Sequence, residues 1–153
     1  MGFHTLKYKK KTRQDMIDLS NQFMNVMATR RSVRGFSNED IPDIVLENII
    51  RTAMSAPSGA NKEPWQFSVV KDKSVKKKIR KAAEAEEKKF YKERATEEWL
   101  KDLNKFETDW RKPFLEKAPA LIVVFRQSYD IRGGLKRKNY YVGESVGIAS
   151  GFL

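Results

Sequence analysis

Apolar residues recur every three or four positions from Asp15 to Met27. Met16, Leu19, Phe23 and Met27 share one side, which predicts a helix with a single apolar face. A second helix is predicted after Pro42. Proline suits a first helical turn, Asp40 and Asp43 favour the positive helix end, and Val45, Ile49 and Ala53 line one face. The pattern stops at "APSGANKEPW" (56–65), where Pro57, Gly59 and Pro64 forbid regular structure. "WQFSVV" (65–70) reads as a strand.

From Ser74 to about Arg94 the chain reads as a highly charged helix. Trp99, Leu103, Phe106 and Trp110 then recur at helical spacing, predicting a further helix. "ALIVVF" (120–125) is apolar without interruption, which predicts a strand buried on both faces, and "RGGLKRK" (132–138) reads as a loop. The closing "NYYVGESVGIASGFL" reads as a helix with Gly143, Gly147 and Gly151 four residues apart. Asn139, Glu144 and the tyrosines are too polar for a membrane dimer, so the spacing predicts close helix packing inside a soluble protein. There are no internal repeats. The chain stops inside this helix, and a fragment is expected.

Composition narrows the chemistry. With 153 residues, 40% hydrophobic and 33% charged, the chain suits one globular domain, 1–153. Residues 1–14 read as a loose basic arm. Cysteine is absent, which excludes disulfide scaffolds, thiolate metal sites and cysteine nucleophiles. The one histidine, His4, cannot build a triad or metal cluster, so catalysis falls to a bound cofactor or to carboxylates. No apolar run reaches the ~20 residues of a membrane span and no signal-peptide pattern opens the chain. A cytoplasmic protein without membrane attachment is expected.

The net charge is +11, concentrated in "LKYKKKTR", "KDKSVKKKIRK" and "RGGLKRK". Acidic blocks such as "EAEEKK" interrupt the lysines and no nucleic-acid motif is present, so anionic small molecules are the expected beneficiaries rather than nucleic acid. "TRRSVRGFSNEDIP" (29–42) gathers Arg30, Arg31 and Arg34 around Ser32. Two readings stand: a solvated basic surface, or a phosphate clamp of planar guanidinium forks and a hydroxyl. "PSGAN" (57–61) is an ordinary helix-ending turn, or a loop whose glycine lets backbone approach a flat ligand.

With "RRSVR" (30–34), "APSGANKEPWQF" (56–67) and the glycine helix in this order, the sequence resembles the nitroreductase superfamily of FMN enzymes, and within it the iodotyrosine deiodinases. The resemblance covers about Asp15 to Leu153. It implies an α+β fold, a mixed sheet flanked by helices, and an intertwined homodimer with FMN sites at its interface. By resemblance Arg30, Arg31, Ser32 and Arg34 meet the FMN phosphate and ribityl chain, although Arg31 could instead pair with a core carboxylate. Pro57, Ser58, Gly59, Ala60 and Asn61 would lie along the flavin, with Ala60 also facing substrate. Asn61 departs from the histidine of animal deiodinases.

The resemblance further implies a lid over 84–112. There "EEKKFYKERATEEWLKDLNKFETDWRK" supplies Glu87, Tyr91 and Lys112 for the ammonium and carboxylate of a halotyrosine. Glu87 and Tyr91 are i and i+4, neighbours on one helix face. The family's flavin N5 hydroxyl donor and a further phosphate arginine would lie beyond Leu153. No residue is assigned as catalytic, since the flavin carries the electron chemistry, and no metal is expected. The implied activity is reductive dehalogenation of halotyrosines, with NADPH or NADH as electron source, directly or through a partner reductase. The alternatives are a broad NAD(P)H-dependent nitro or quinone reductase, or a non-catalytic flavin- or nucleic-acid-binding remnant.

Overall fold

A computed structural model describes residues 5–153. His4 and the first residues of the basic arm lie outside the described residues. The chain divides into two compact units, one ending at Arg34 and one running Gly35–Leu153.

In the first unit, α1 (Arg13–Ala28) begins two residues earlier than the apolar pattern predicts. Thr12 closes a capping box: the Asp15 N–H donates to Thr12 Oγ1 at 3.1 Å, and the Thr12 N–H donates to Asp15 Oδ2 at 3.0 Å. Two helix-end donors are thereby satisfied, which sets the start more strongly than hydrophobic periodicity does. The same bonds hold the Asp15 carboxyl below its ordinary range, chiefly through the Thr12 backbone. No residue of α1 is buried, and Met16, Leu19, Phe23 and Met27 are exposed.

The second unit opens with α2 (Asp43–Met54), preceded by Pro42 as N-cap. Its buried residues are Leu46 and Ala53, two turns apart, while Val45 is exposed. The inward face is thus rotated from the predicted Val45–Ile49–Ala53 stripe, and α2 packs against the closing helix, α6 (Val142–Phe152). β1 (Trp65–Val70) pairs antiparallel with β2 (Leu121–Arg126), in register from Trp65↔Arg126 to Val70↔Leu121. β2 is not buried on both faces as its apolar run predicts. Its residues are half-buried or exposed, and its ladder partner among the described residues is β1.

Asp72 caps α3 (Lys73–Lys89) by accepting from the Val75 N–H at 2.8 Å. The predicted charged helix changes character at Phe90, where a π-type turn (Phe90–Arg94) replaces α-geometry. α4 (Glu97–Asn104) carries Trp99 and Leu103 but excludes Phe106 and Trp110. The chain breaks out at Glu107, whose φ of 50° is left-handed. α5 (Phe114–Lys117) is a single turn.

The segment expected to be a loop at 132–138 is half of a hairpin, β3 (Tyr129–Arg132) with β4 (Leu135–Lys138). Gly133 and Gly134, at φ 58° and 75°, form its two-residue turn. Two successive positive φ values match the right-handed strand twist, which is what a Gly-Gly pair permits. Both ladders among the described residues are antiparallel, where the resemblance implied a mixed sheet.

α6 (Val142–Phe152) turns Ser145 and Ala149 inward, four residues apart. Ala149 joins Ala56 and Trp65 in a core cluster, with Phe67 and Val146 packed on it. Trp65 supplies the large side chain, and truncating such a residue costs about 3–5 kcal/mol. The glycine stripe takes no part: a Cβ at Gly143, Gly147 or Gly151 would meet nothing within 4 Å. The predicted close approach of another helix to these glycines is therefore absent within the described chain. Small side chains at Ser145 and Ala149, on the opposite side, perform that packing. Among the described residues no helix is long and apolar enough to cross a membrane.

Candidate functional site

The arginine cluster leaves α1 through a C-cap at Thr29, whose N–H donates to Val26 and Met27 carbonyls. Arg31 folds its guanidinium back onto this end. Its Nη1 donates to Ala28 O at 2.7 Å and Arg30 O at 2.8 Å, a cation on otherwise unsatisfied carbonyls. The carboxylate partner considered for Arg31 is absent among the described residues. Arg30, Ser32 and Arg34 are exposed, and neither Arg30 nor Arg34 enters an ion pair among the described residues.

In the second unit, the "PSGAN" loop leaves α2 as a 3-10 turn, Gly59–Asn61. Ala60, Asn61 and Glu63 all have left-handed backbones, at φ 51°, 51° and 47°. For a residue such as alanine that conformation costs roughly 1–2 kcal/mol, and such strain concentrates at functional loops. Internal bonds hold the turn. Asn61 and Lys62 N–H groups donate to Ser58 O and Gly59 O, and the Glu63 N–H donates to Ser58 Oγ at 2.9 Å.

Within the chain itself Gly59 has a further reason for being glycine. A Cβ there would stand 2.9 Å from Tyr140 O and 2.9 Å from Tyr141 Cδ2. Its N–H donates a long bond, 3.4 Å, to Ser145 Oγ. The close backbone approach is thus made by the chain entering α6, whose N-cap Tyr141 is itself left-handed. Tyr140, Tyr141 and Ser145 support the loop. None of them is conspicuous in sequence, since the contact spans more than 80 residues.

The 84–112 region brings the expected charges together. Lys112 Nζ lies 3.2 Å from Glu87 Oε2, with side-chain exposures of 16% and 39%. Lys112 Nζ also donates to Asp109 O at 2.8 Å. Tyr91, one turn beyond Glu87, donates its hydroxyl to Thr108 O at 3.2 Å. Both helix-borne groups therefore face the 108–112 segment. Trp99 stacks edge-on against Phe90 at 4.9 Å, and Lys88 sits over the Trp110 ring at 5.0 Å. Both tryptophans thus pack where α3 gives way to the π-type turn.

Three side chains not singled out in sequence organise this site. Glu84 Oε1 accepts from Arg80 Nε at 2.8 Å and from the Lys112 backbone N–H at 2.8 Å. Arg80 also reaches Glu116 at 3.1 Å. The Arg80 guanidinium holds the Glu84 carboxyl below its ordinary range, aided by the Lys112 N–H. One turn earlier on α3, Lys76 is buried and donates its ammonium to Ala118 O at 2.6 Å. Lys76, Arg80 and Glu84 stand at i, i+4 and i+8, one face of α3. Polar residues in a lysine-rich helix carry no sequence signal for this. Among the described residues no acidic or histidine cluster could hold a metal ion.

The family model described as the nitroreductase family matches residues 27–151. Iodotyrosine deiodinase of Haliscomenobacter hydrossis is 57% identical over 141 residues, covering 92% of this chain and 64% of its own length. That of Hydra vulgaris is 47% identical over 152 residues, covering 99% and 55%. Human iodotyrosine deiodinase 1 is 47% identical over 141 residues, covering 92% and 49%. The chain thus spans between about half and two-thirds of these curated relatives. Oxidized iodotyrosine deiodinase bound to FMN and 3-iodo-L-tyrosine superposes with a TM-score of 0.73 at 34% identity, covering 84% of this chain and 65% of that one. An FMN-dependent nitroreductase from Clostridium difficile, 24% identical with a TM-score of 0.59, shares the fold over 87% of this chain and 53% of its own.

Proposed function

The chain belongs to the nitroreductase family, and on that premise we propose that the protein is an FMN-dependent oxidoreductase that reductively dehalogenates halotyrosines. The observation that carries this reading is the Glu87–Lys112 pair beside Tyr91. A halotyrosine zwitterion offers an ammonium and a carboxylate, so it can exchange one ion pair for two: Glu87 takes the ammonium and Lys112 the carboxylate. A ligand with only one of these charges strands the other protein group. Leaving a mostly covered ammonium unpaired is costly, so the exchange selects for zwitterions. The iodotyrosine deiodinases at 47–57% identity support the same reading.

The donor set fits FMN. Arg30 and Arg34 present guanidinium forks that no carboxylate among the described residues occupies, and Ser32 adds a hydroxyl. A dianionic phosphate takes such charge-assisted bonds about twice as strongly as neutral ones. The strained turn at Pro57, Ser58, Gly59, Ala60 and Asn61 is assigned to the flavin, with Ala60 toward substrate. When bound, FMN would supply the two electrons that, with one proton, replace a carbon–halogen bond by carbon–hydrogen and release halide. The chain's own contribution is orientation. Glu87 and Lys112 hold the amino-acid end, Tyr91 adds a hydroxyl one turn beyond Glu87, and the lid segment 84–112 covers the ligand from water.

The reading carries with it an NADPH or NADH electron source, directly or through a partner reductase, a cytoplasmic location, and a homodimer. The open glycine face of α6 supports the dimer, since Gly143, Gly147 and Gly151 leave room there for a second copy.

Two outcomes are expected. In stopped-flow reoxidation, the reduced protein should react faster with 3-iodotyrosine than with a nitroaromatic lacking amino and carboxylate groups. Faster reoxidation by the nitroaromatic would favour a broad nitroreductase instead. Arg30→Ala and Arg34→Ala should each weaken FMN binding about ten- to a hundredfold, the loss of a charged hydrogen-bond partner. Fluorescence titration of free FMN measures this, and undiminished binding in both variants removes the clamp.

A further inference from the structure

We propose that Glu84, held by Arg80, is a positioning residue that sets the backbone at Lys112 and so tunes the grip on the substrate's amino-acid end; this rests on the reading of Glu87 and Lys112 given above. Lys112 is held at two points by two carboxylates of the same helix. Its backbone N–H donates to Glu84 Oε1 at 2.8 Å, and its ammonium lies 3.2 Å from Glu87 Oε2. Glu84 and Glu87 are i and i+3 on α3, hence on adjoining turns of one face. Their spacing dictates where the Lys112 Cα stands relative to the Glu87 carboxylate.

Glu84 is itself constrained. Its Oε1 takes the Arg80 Nε at 2.8 Å, its side chain is 16% exposed, and Arg80 continues to Glu116 at 3.1 Å on the far side of Lys112 in sequence. The loop from Lys112 to Glu116 is therefore tied to α3 at both ends by one Arg80–Glu84 unit. Lys76, donating to Ala118 O, extends the same tie. The arrangement serves binding as well as packing. If only attachment of α5 were needed, Arg80–Glu116 and Lys76–Ala118 already provide it. The bond to the Lys112 N–H adds nothing to α5 but removes the freedom of the residue that carries the ammonium.

The physical consequence is specific. Releasing the Lys112 backbone lets its ammonium follow Asp109 O and drift from the Glu87 side, so both zwitterion contacts cannot form in one geometry. Ligands without an amino-acid end are indifferent to this. Misplacement of about 1 Å can cost a hundredfold in a positioned group's contribution.

The test uses the FMN-loaded protein and two probes, 3-iodotyrosine and 2-iodophenol, with affinities read from quenching of flavin fluorescence. Glu84→Ala is expected to weaken 3-iodotyrosine binding about tenfold and leave 2-iodophenol within about twofold. Glu84→Gln, which keeps an oxygen acceptor for the Lys112 N–H, should recover most of the loss. In a Lys112→Gln background, Glu84→Ala should have no further effect on 3-iodotyrosine, as required when one residue acts through the other.

Equal weakening of both probes, or additive losses in the double variant, would overturn the proposal in favour of a merely structural role. Should Glu84→Ala fail to retain FMN, Arg80→Gln gives the same readout, since it loosens Glu84 without removing the acceptor. If Lys112→Gln itself fails to separate the two probes, the binding role of Lys112 falls first. If Lys112→Gln separates them and Glu84→Ala does not, the positioning role alone falls.

Discussion

Glu87→Gln and Lys112→Gln are each expected to weaken halotyrosine binding by about 1.5–3 kcal/mol, the range for a hydrogen bond to a charged group, or roughly ten- to a hundredfold. The two charges neutralise each other at 3.2 Å, with the lysine mostly covered. Removing either charge leaves the other protein group without its partner before the ligand enters, and leaves one charge of the zwitterion without a partner afterwards. Reduction of a nitroaromatic without amino or carboxylate groups should change less than twofold, because nothing in that ligand meets this end of the site. Isothermal titration with 3-iodotyrosine, beside steady-state nitroreduction, reads both quantities. Equal loss of both activities would reduce Glu87 and Lys112 to structural charges. The reading would then retreat to a general FMN reductase.

Gly59→Ala is the second large effect, and here the expected loss is of stability. A Cβ at 2.9 Å from Tyr140 O has no flexible neighbour to displace, because the obstacle is backbone. The chain at 140–141 must shift, and Tyr141 is the N-cap of α6, which carries Ala149 into the core cluster. Overpacking of this kind costs about 1–3 kcal/mol. For a chain of this size that lowers Tm by about 2–4 °C per kcal/mol. The same substitution at Gly35, where a Cβ meets nothing within 4 Å, should leave Tm nearly unchanged. Thermal unfolding of the two variants side by side decides it. An unchanged Tm for Gly59→Ala would mean the loop and the α6 entrance separate easily, and Gly59 would then need another explanation.

Both results concern contacts between parts of the chain far apart in sequence, and that is where legibility changes. α1, α2, α3, α6, both β1 and β2, and the turn at 56–65 follow from local pattern, and their boundaries shift by only a few residues. Capping at Thr12 and Asp72 accounts for two such shifts, since a satisfied helix-end donor outweighs periodicity. The Gly-Gly hairpin was equally local, yet the charged residues of "RGGLKRK" masked its strand character.

The candidate site divides the same way. The residue types in "RRSVR" and the Glu87, Tyr91 and Lys112 spacing are legible because helix geometry and charge chemistry are short-range properties. By themselves they suggest a resemblance and a set of candidate ligand-binding groups, while the family rests on the match over residues 27–151. Other features depend on where distant segments meet. The inward face of α2 carries Leu46 and Ala53 rather than Val45, a choice made by tertiary packing. Gly59 is constrained by Tyr140 across 81 positions, and Glu84 meets the Lys112 backbone across 28. No propensity or periodicity encodes such pairings. A hydrogen bond or a steric limit acts only over a few ångströms, and only the folded chain decides which atoms come that close.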